Sequence, residues 1–144
     1  MGIFDKILGT KDAEKARLSE EESFAGIILS AVAADGNISD EEAMNMAAMR
    51  FFNNMTRDQV KSMFKKIVNI LKSQGIEHLI SASKDALPLD SRQTAFAIAV
   101  DLALADGVMN HEEKNILAKI QETLEIPEDI AIKIIEVILI KNKY

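Results

Sequence analysis

Apolar residues recur along this chain at intervals of three and four, the spacing of one helical face, and no stretch alternates in the strand manner between hairpin turns. Ile3, Phe4, Ile7 and Leu8 share one face of a short amphipathic arm over residues 1–18. Ser19-Glu20-Glu21-Glu22 is a capping box, with the serine oxygen accepting from the third backbone N–H and the glutamate reaching back. The helix behind it runs through Phe24-Ala25-Gly26-Ile27-Ile28-Leu29 to Ala34, apolar on nearly every side, which marks a central, buried helix. Asp35-Gly36 ends it. Ser39-Asp40-Glu41-Glu42 opens a second helix with the stripe Met44, Ala47, Ala48, Phe51, Phe52 and Met55. Thr56-Arg57-Asp58-Gln59 opens a third, with Val60, Met63, Phe64, Ile67, Val68 and Leu71, which stops at Gly75. A helix over 76–87 ends before Pro88, and Asp90-Ser91-Arg92-Gln93 caps another buried helix that runs to Ala105. Asn110-His111-Glu112-Glu113 caps a helix bearing Ile116, Leu117, Ile120 and Leu124, and Pro127 starts a last one rich in isoleucine.

A shift of 71 residues lays segment 19–73 over 90–144 without a gap. Ala34-Asp35-Gly36 falls on Ala105-Asp106-Gly107, Ile38 on Met109, Ser39 on Asn110, and Glu41-Glu42 on Glu112-Glu113. Caps, breaks and apolar stripes are set by separate physics, so their joint agreement outweighs the low identity. The pattern predicts an all-α fold of about seven helices. Two three-helix repeats, 19–73 and 90–144, are related by a pseudo-two-fold axis and joined by the helix at 76–87. The two nearly all-apolar helices should meet at the centre.

The 144 residues suit one domain, here 19–144 behind the arm, and 48% hydrophobic residues supply a core. Cysteine is absent, which excludes disulfides, thiolate metal sites and thiol chemistry. A net charge of −6 argues against general nucleic-acid binding. Neither a signal peptide nor a membrane span is expected, because the longest apolar runs, 24–34 and 95–105, are too short to cross a bilayer. The arm could cover an edge of the bundle, the favoured reading, or touch a membrane surface. Arg57, Lys61, Lys65, Lys66 and Lys72 lie opposite the apolar stripe of their helix. That face reads first as solvated, and otherwise as one pole of an electrostatically polarised docking molecule.

One polar constellation recurs. Asp35, Gly36, Ile38, Ser39 and Glu42, and again Asp106, Gly107, Met109, Asn110 and Glu113, match the second half of an EF-hand loop. The positions that would complete that loop are alanines or leucines, Ala31 and Ala33, or Leu102 and Leu104. Turn chemistry alone accounts for every residue: glycine for positive φ, Ile or Met for the core, Ser or Asn as cap, Glu closing the box. The added reading places a weakly held divalent cation on Asp35, Glu42, Asp106 and Glu113, with all four sharing one ion if the bends meet. Their hard oxygens suit Ca²⁺, Mg²⁺ or Mn²⁺. Asp101, within the second buried helix, reads as lying on a solvated edge, or else as a third carboxylate near the second bend. His111 should be exposed, and His78 with Ser81 lacks a third catalytic member.

The segment Ala33-Ala34-Asp35-Gly36-Asn37-Ile38-Ser39-Asp40-Glu41-Glu42 and its second copy from Leu104 to Glu113 resemble the TerB (tellurite resistance) family. The opening Gly2-Ile3-Phe4-Asp5-Lys6 is similar too. The resemblance implies an all-helical, non-enzymatic domain of the bacterial cytoplasm, at times peripheral to the inner membrane. It implies a role in tellurite, metal or envelope stress through protein partners, some of them membrane components. It also points to a metal at Asp35, Glu42, Asp106 and Glu113. Two other readings stand beside it: a metal-assisted hydrolase using those carboxylates, and a purely structural adaptor.

Overall fold

A computed structural model describes residues 18–33, 49–104 and 109–143. These form six α-helices and one 3-10 turn, and there is no strand among the described residues. Helix α1 is Glu20–Val32, α2 Arg57–Gln74, α3 Ile76–Lys84, α4 Leu89–Ala103, α5 His111–Thr123 and α6 Glu128–Lys141. The 3-10 turn, Arg50–Phe52, precedes α2.

Helix α1 starts where the capping box requires it. Ser19 Oγ accepts from Glu22 N at 3.1 Å, and Glu22 Oε1 accepts from Ser19 N at 2.9 Å. Every residue from Ser23 to Ala31 is buried, so α1 is the central element. It packs most extensively against α4, then against α3 and α2. The two apolar helices therefore meet, as their composition requires. Thr56 and Gln59 form the same reciprocal cap at α2. Gly75, at φ 90°, ends α2 and lets α3 begin at the next residue in a new direction.

The core is one cluster around Phe24, Ile27, Ile28, Leu29, Ile67, Leu79, Ile80, Phe96 and Ile120. Phe51 stacks on Phe24 with ring centroids 3.7 Å apart, and Phe52 meets both edge-on. Leu18, placed by pattern in the arm, is buried in this core. Residues 1–17, the rest of the arm, lie outside the described residues.

Three expectations are corrected. The helix expected from Ser39 lies largely outside the described residues, and its stripe does not continue as α-helix to Met55. Met49 is extended (φ −67°, ψ 141°), Arg50–Phe52 is a 3-10 turn, and Thr56 must leave helical geometry to cap α2. Six α-helices are seen among the described residues, and the remaining one of the seven expected, from Ser39, falls largely outside them. Asp90 does not cap α4 either. Pro88 takes the cap position at φ −62°, where its missing N–H costs nothing, and Asp90 falls in the first turn. Two helices also end early, α3 at Lys84 and α4 at Ala103.

Candidate functional site

Of the four carboxylates expected to hold a cation, Asp35, Glu42 and Asp106 lie outside the described residues. Glu113 is the third residue of α5. Its Oε1 accepts from Asn110 N at 3.0 Å, while Asn110 Oδ1 accepts from Glu113 N at 2.7 Å. Met109 packs half-buried against the core. The described part of the second motif thus supplies an apolar anchor, a cap and a capping box. Among the described residues no group of three histidine, aspartate or glutamate side chains is placed to hold a metal.

The other singled-out polar residues acquire definite partners. Asp101 is half-buried and faces the end of α6. Asn142 Nδ2 donates to its Oδ1 at 2.9 Å, and Lys141 Nζ lies 3.3 Å from both oxygens. Its carboxylate therefore ties the C-terminal ends of α4 and α6 together, which accounts for a charge within the apolar run that ends α4. His111 is exposed, as expected, at the first position of α5. His78 Nε2 and Ser23 Oγ are buried without a hydrogen-bond partner among the described residues.

Two clamps were not visible in the sequence. Lys66 Nζ bonds Glu22 Oε2 at 2.7 Å and joins α2 to α1. Partial burial pushes the Glu22 carboxyl up, but the Lys66 ammonium together with the Ser19 N–H and hydroxyl holds it below the ordinary carboxylate range. Arg92, expected within a cap, instead grips three carbonyls. Its Nε donates to Leu87 O at 2.8 Å, and its two terminal nitrogens donate to Lys84 O and Leu124 O. The ends of α3 and α5 are thereby fixed to the first turn of α4. The signal that could have found it was position: an arginine in a first turn is misplaced for the helix dipole and needs another reason to be there.

The outward side of α6 mixes large apolar residues with the exposed charges of Asp129, Lys133 and Glu136. Ile132, Val137, Leu139 and Ile140 are 49–72% exposed, and Ala131 is the helix's one buried residue.

The family model for the tellurite resistance protein TerB matches residues 21–135. The chain belongs to the TerB family. The match spans the sequence of both acidic bends, helices α2 to α5 entire, α1 but for its first residue, and α6 as far as residue 135. No curated protein and no solved structure gives a significant match. Among the described residues of this TerB-family chain, no helix is long and apolar enough to cross a membrane.

Proposed function

We propose that this chain is a non-enzymatic interaction module of a bacterial tellurite, metal or envelope stress response. A partner protein docks through an apolar helical surface on α6, and a divalent cation at the two acidic bends regulates it. The exposed apolar residues of α6, set among charges, carry the docking half of this reading. In a 71-residue register, the residues of α2 that match Ile132, Val137 and Ile140 are Lys61, Lys66 and Asn69. The same outward positions are thus polar in one helix and apolar in the other. Solvated helices do not need isoleucine there, and surfaces that meet a partner do. Four half-exposed side chains amount to a few hundred Å², below the roughly 800 Å² per partner of a standard interface. The docked protein must therefore also reach beyond this stripe.

The two-repeat architecture is part of the proposal. The caps Ala33 and Leu104 stand 71 residues apart with nearly the same backbone angles, and so do the N-caps Thr56 and Pro127. Helices α1 and α4, which lead into the two bends, touch at their N-terminal ends, where Ser91 Oγ donates to Glu20 Oε2 at 3.0 Å. This supports acidic bends that share one face.

For the cation, the donor chemistry fits. Glu113 has one oxygen committed to its cap, and all candidate donors are hard carboxylate or amide oxygens. Asp35, Glu42, Asp106 and Glu113 would hold it, and it would supply charge compensation between the bends. Two carboxylates per bend predict affinity near 10⁻³ M.

The test is calcium titration of the ¹⁵N-labelled full chain. Amide shifts at Asp35, Asp106 and Glu113 should saturate in the millimolar range and vanish in Glu42→Gln/Glu113→Gln. Glutamine keeps a capping box but not the charge. No shift at 10 mM calcium leaves only turn chemistry and ends the cation half. For docking, affinity purification from the host with and without chelator should recover a partner that Ile132→Lys/Val137→Lys no longer retains. Equal recovery by that variant would refute the α6 surface. A concentration-dependent rise in mass of the pure chain would identify a second copy as the occupant instead.

A further inference from the structure

We infer that the groove between the N-terminal ends of α1 and α2 receives a cationic amphipathic helix of a partner protein. This inference rests on the reading of the chain as an interaction module and names the partner chemistry of a second surface on it. The groove has a volume of about 910 Å³.

Its lining separates by chemistry. Phe51, Met55 and Met63 give an apolar floor, and Glu20, Glu21, Glu22 and Asp58 give an acidic rim, with Lys66 the one cation among the described lining residues. Phe51 is held by its stack on Phe24, so that wall is rigid. The two methionines are unbranched and polarisable, and adapt to different apolar side chains.

The rim acids have an ordinary role as well, because first-turn carboxylates favour helix N-termini. The magnitudes decide whether any field is left over. Among the described lining residues the side chains sum to −3, since Lys66 and Glu22 neutralise each other. Each helix N-terminus contributes about +0.5, which leaves about −2 at the mouth. An apolar floor beneath a negative rim fits lysines or arginines flanking a leucine-type stripe. A bare cation would leave the floor unused, and an acidic or neutral peptide would meet uncompensated carboxylates.

The probe is an amidated 14-residue leucine–lysine helix with all leucines on one face, added to the ¹⁵N-labelled full chain and followed by amide shifts and fluorescence anisotropy. Shifts should concentrate at residues 19–22 and 51–66. Glu21→Lys/Asp58→Lys should weaken binding at least tenfold, and Met55→Ala about threefold. Glu112→Lys/Glu136→Lys, with the same change in net charge elsewhere, should stay within twofold. If the charge-reversed groove variant does not fold by circular dichroism, Glu21→Gln/Asp58→Asn should still show a loss of about threefold. Equal losses in groove and control variants, or no binding, would overturn the groove. Shifts confined to α6 would overturn it too and leave the module reading standing.

Discussion

Gly26 lies in the middle of the central helix, where glycine is a poor choice for helix formation. An ideal Cβ built there meets Ser83 Oγ at 2.4 Å and Leu79 Cδ1 at 3.2 Å. The glycine therefore marks a close approach of α1 and α3. Gly26→Ala gains about 1 kcal/mol of helix propensity. Against this, Ser83 Oγ can retreat only by leaving Leu79 O, to which it donates at 2.7 Å inside the core. Stranding a buried hydroxyl costs about 1–3 kcal/mol, and prising the helices apart costs a similar amount. The net expectation is a destabilisation of up to about 2 kcal/mol, read as a fall in the urea midpoint of up to about 1 M at an m-value near 2 kcal/mol/M. Ser83→Ala removes the 2.4 Å contact, and its own Cβ at 3.6 Å is ordinary packing. Alone it should cost less than about 1 kcal/mol, and combined with Gly26→Ala it should recover at least about 1 kcal/mol of coupling in a double-mutant cycle. A Gly26→Ala protein more stable than the parent, or additive single effects, would refute this account of the helix contact.

Three further outcomes follow from other contacts. Arg92→Ala should destabilise by about 2–3 kcal/mol in urea melts, because three carbonyls lose a charged donor, and Arg92→Lys should restore little of it since an ammonium cannot span the fork. Glu125 sits at φ 58° in a Schellman turn, with Ile126 N bonded to Gln121 O and Glu125 N to Glu122 O, so Glu125→Gly should raise the melting temperature despite the loss of its exposed ion pair with Lys84. The lowered Glu22 carboxyl favours the folded state above its ordinary value of 4.5, and that contribution disappears as the pH falls through the lower folded value. Urea midpoints from pH 5 to 3 should therefore decline less steeply in Lys66→Met, and identical slopes would show that the pair carries no pH-linked stability.

What the sequence could show was governed by locality. Capping boxes at Ser19, Thr56 and Asn110 involve residues three apart, so pattern alone located them, and all three form. The all-round apolar run 24–31 likewise announced its burial. Asp90 misled because Pro88, two residues earlier, competes for the same cap and wins through its fixed φ. The Phe51–Phe52 stripe misled because apolar periodicity does not distinguish an α-helix from a 3-10 turn packed on Phe24. Asp101 and Lys66 draw their roles from residues 40 to 44 positions away, and Arg92 reaches one of its three carbonyls 32 positions away, which no local pattern encodes. The candidate cation residues were legible as a repeated motif, but a motif that also caps a helix looks the same whether or not it binds an ion.

The outward face of α6 lends itself to a substitution that transfers the chemistry of one helix to the other. Ile132→Lys and Val137→Lys give α6 the residues that α2 carries at the same register, Lys61 and Lys66. Ile132 is 49% and Val137 61% exposed, so each loses little packing, and their helix propensities do not fall on replacement by lysine. Exposed substitutions of this kind ordinarily change stability by less than about 0.5 kcal/mol. The double variant should therefore melt with its parent while losing its partner. An equivalent change on the buried side, Ala131→Lys, should instead unfold the protein by placing an unpaired ammonium in the core. If Ile132→Lys/Val137→Lys cost more than about 2 kcal/mol in the isolated chain, this face would be covered within the same molecule. Its apolar character would then be a matter of folding rather than of docking.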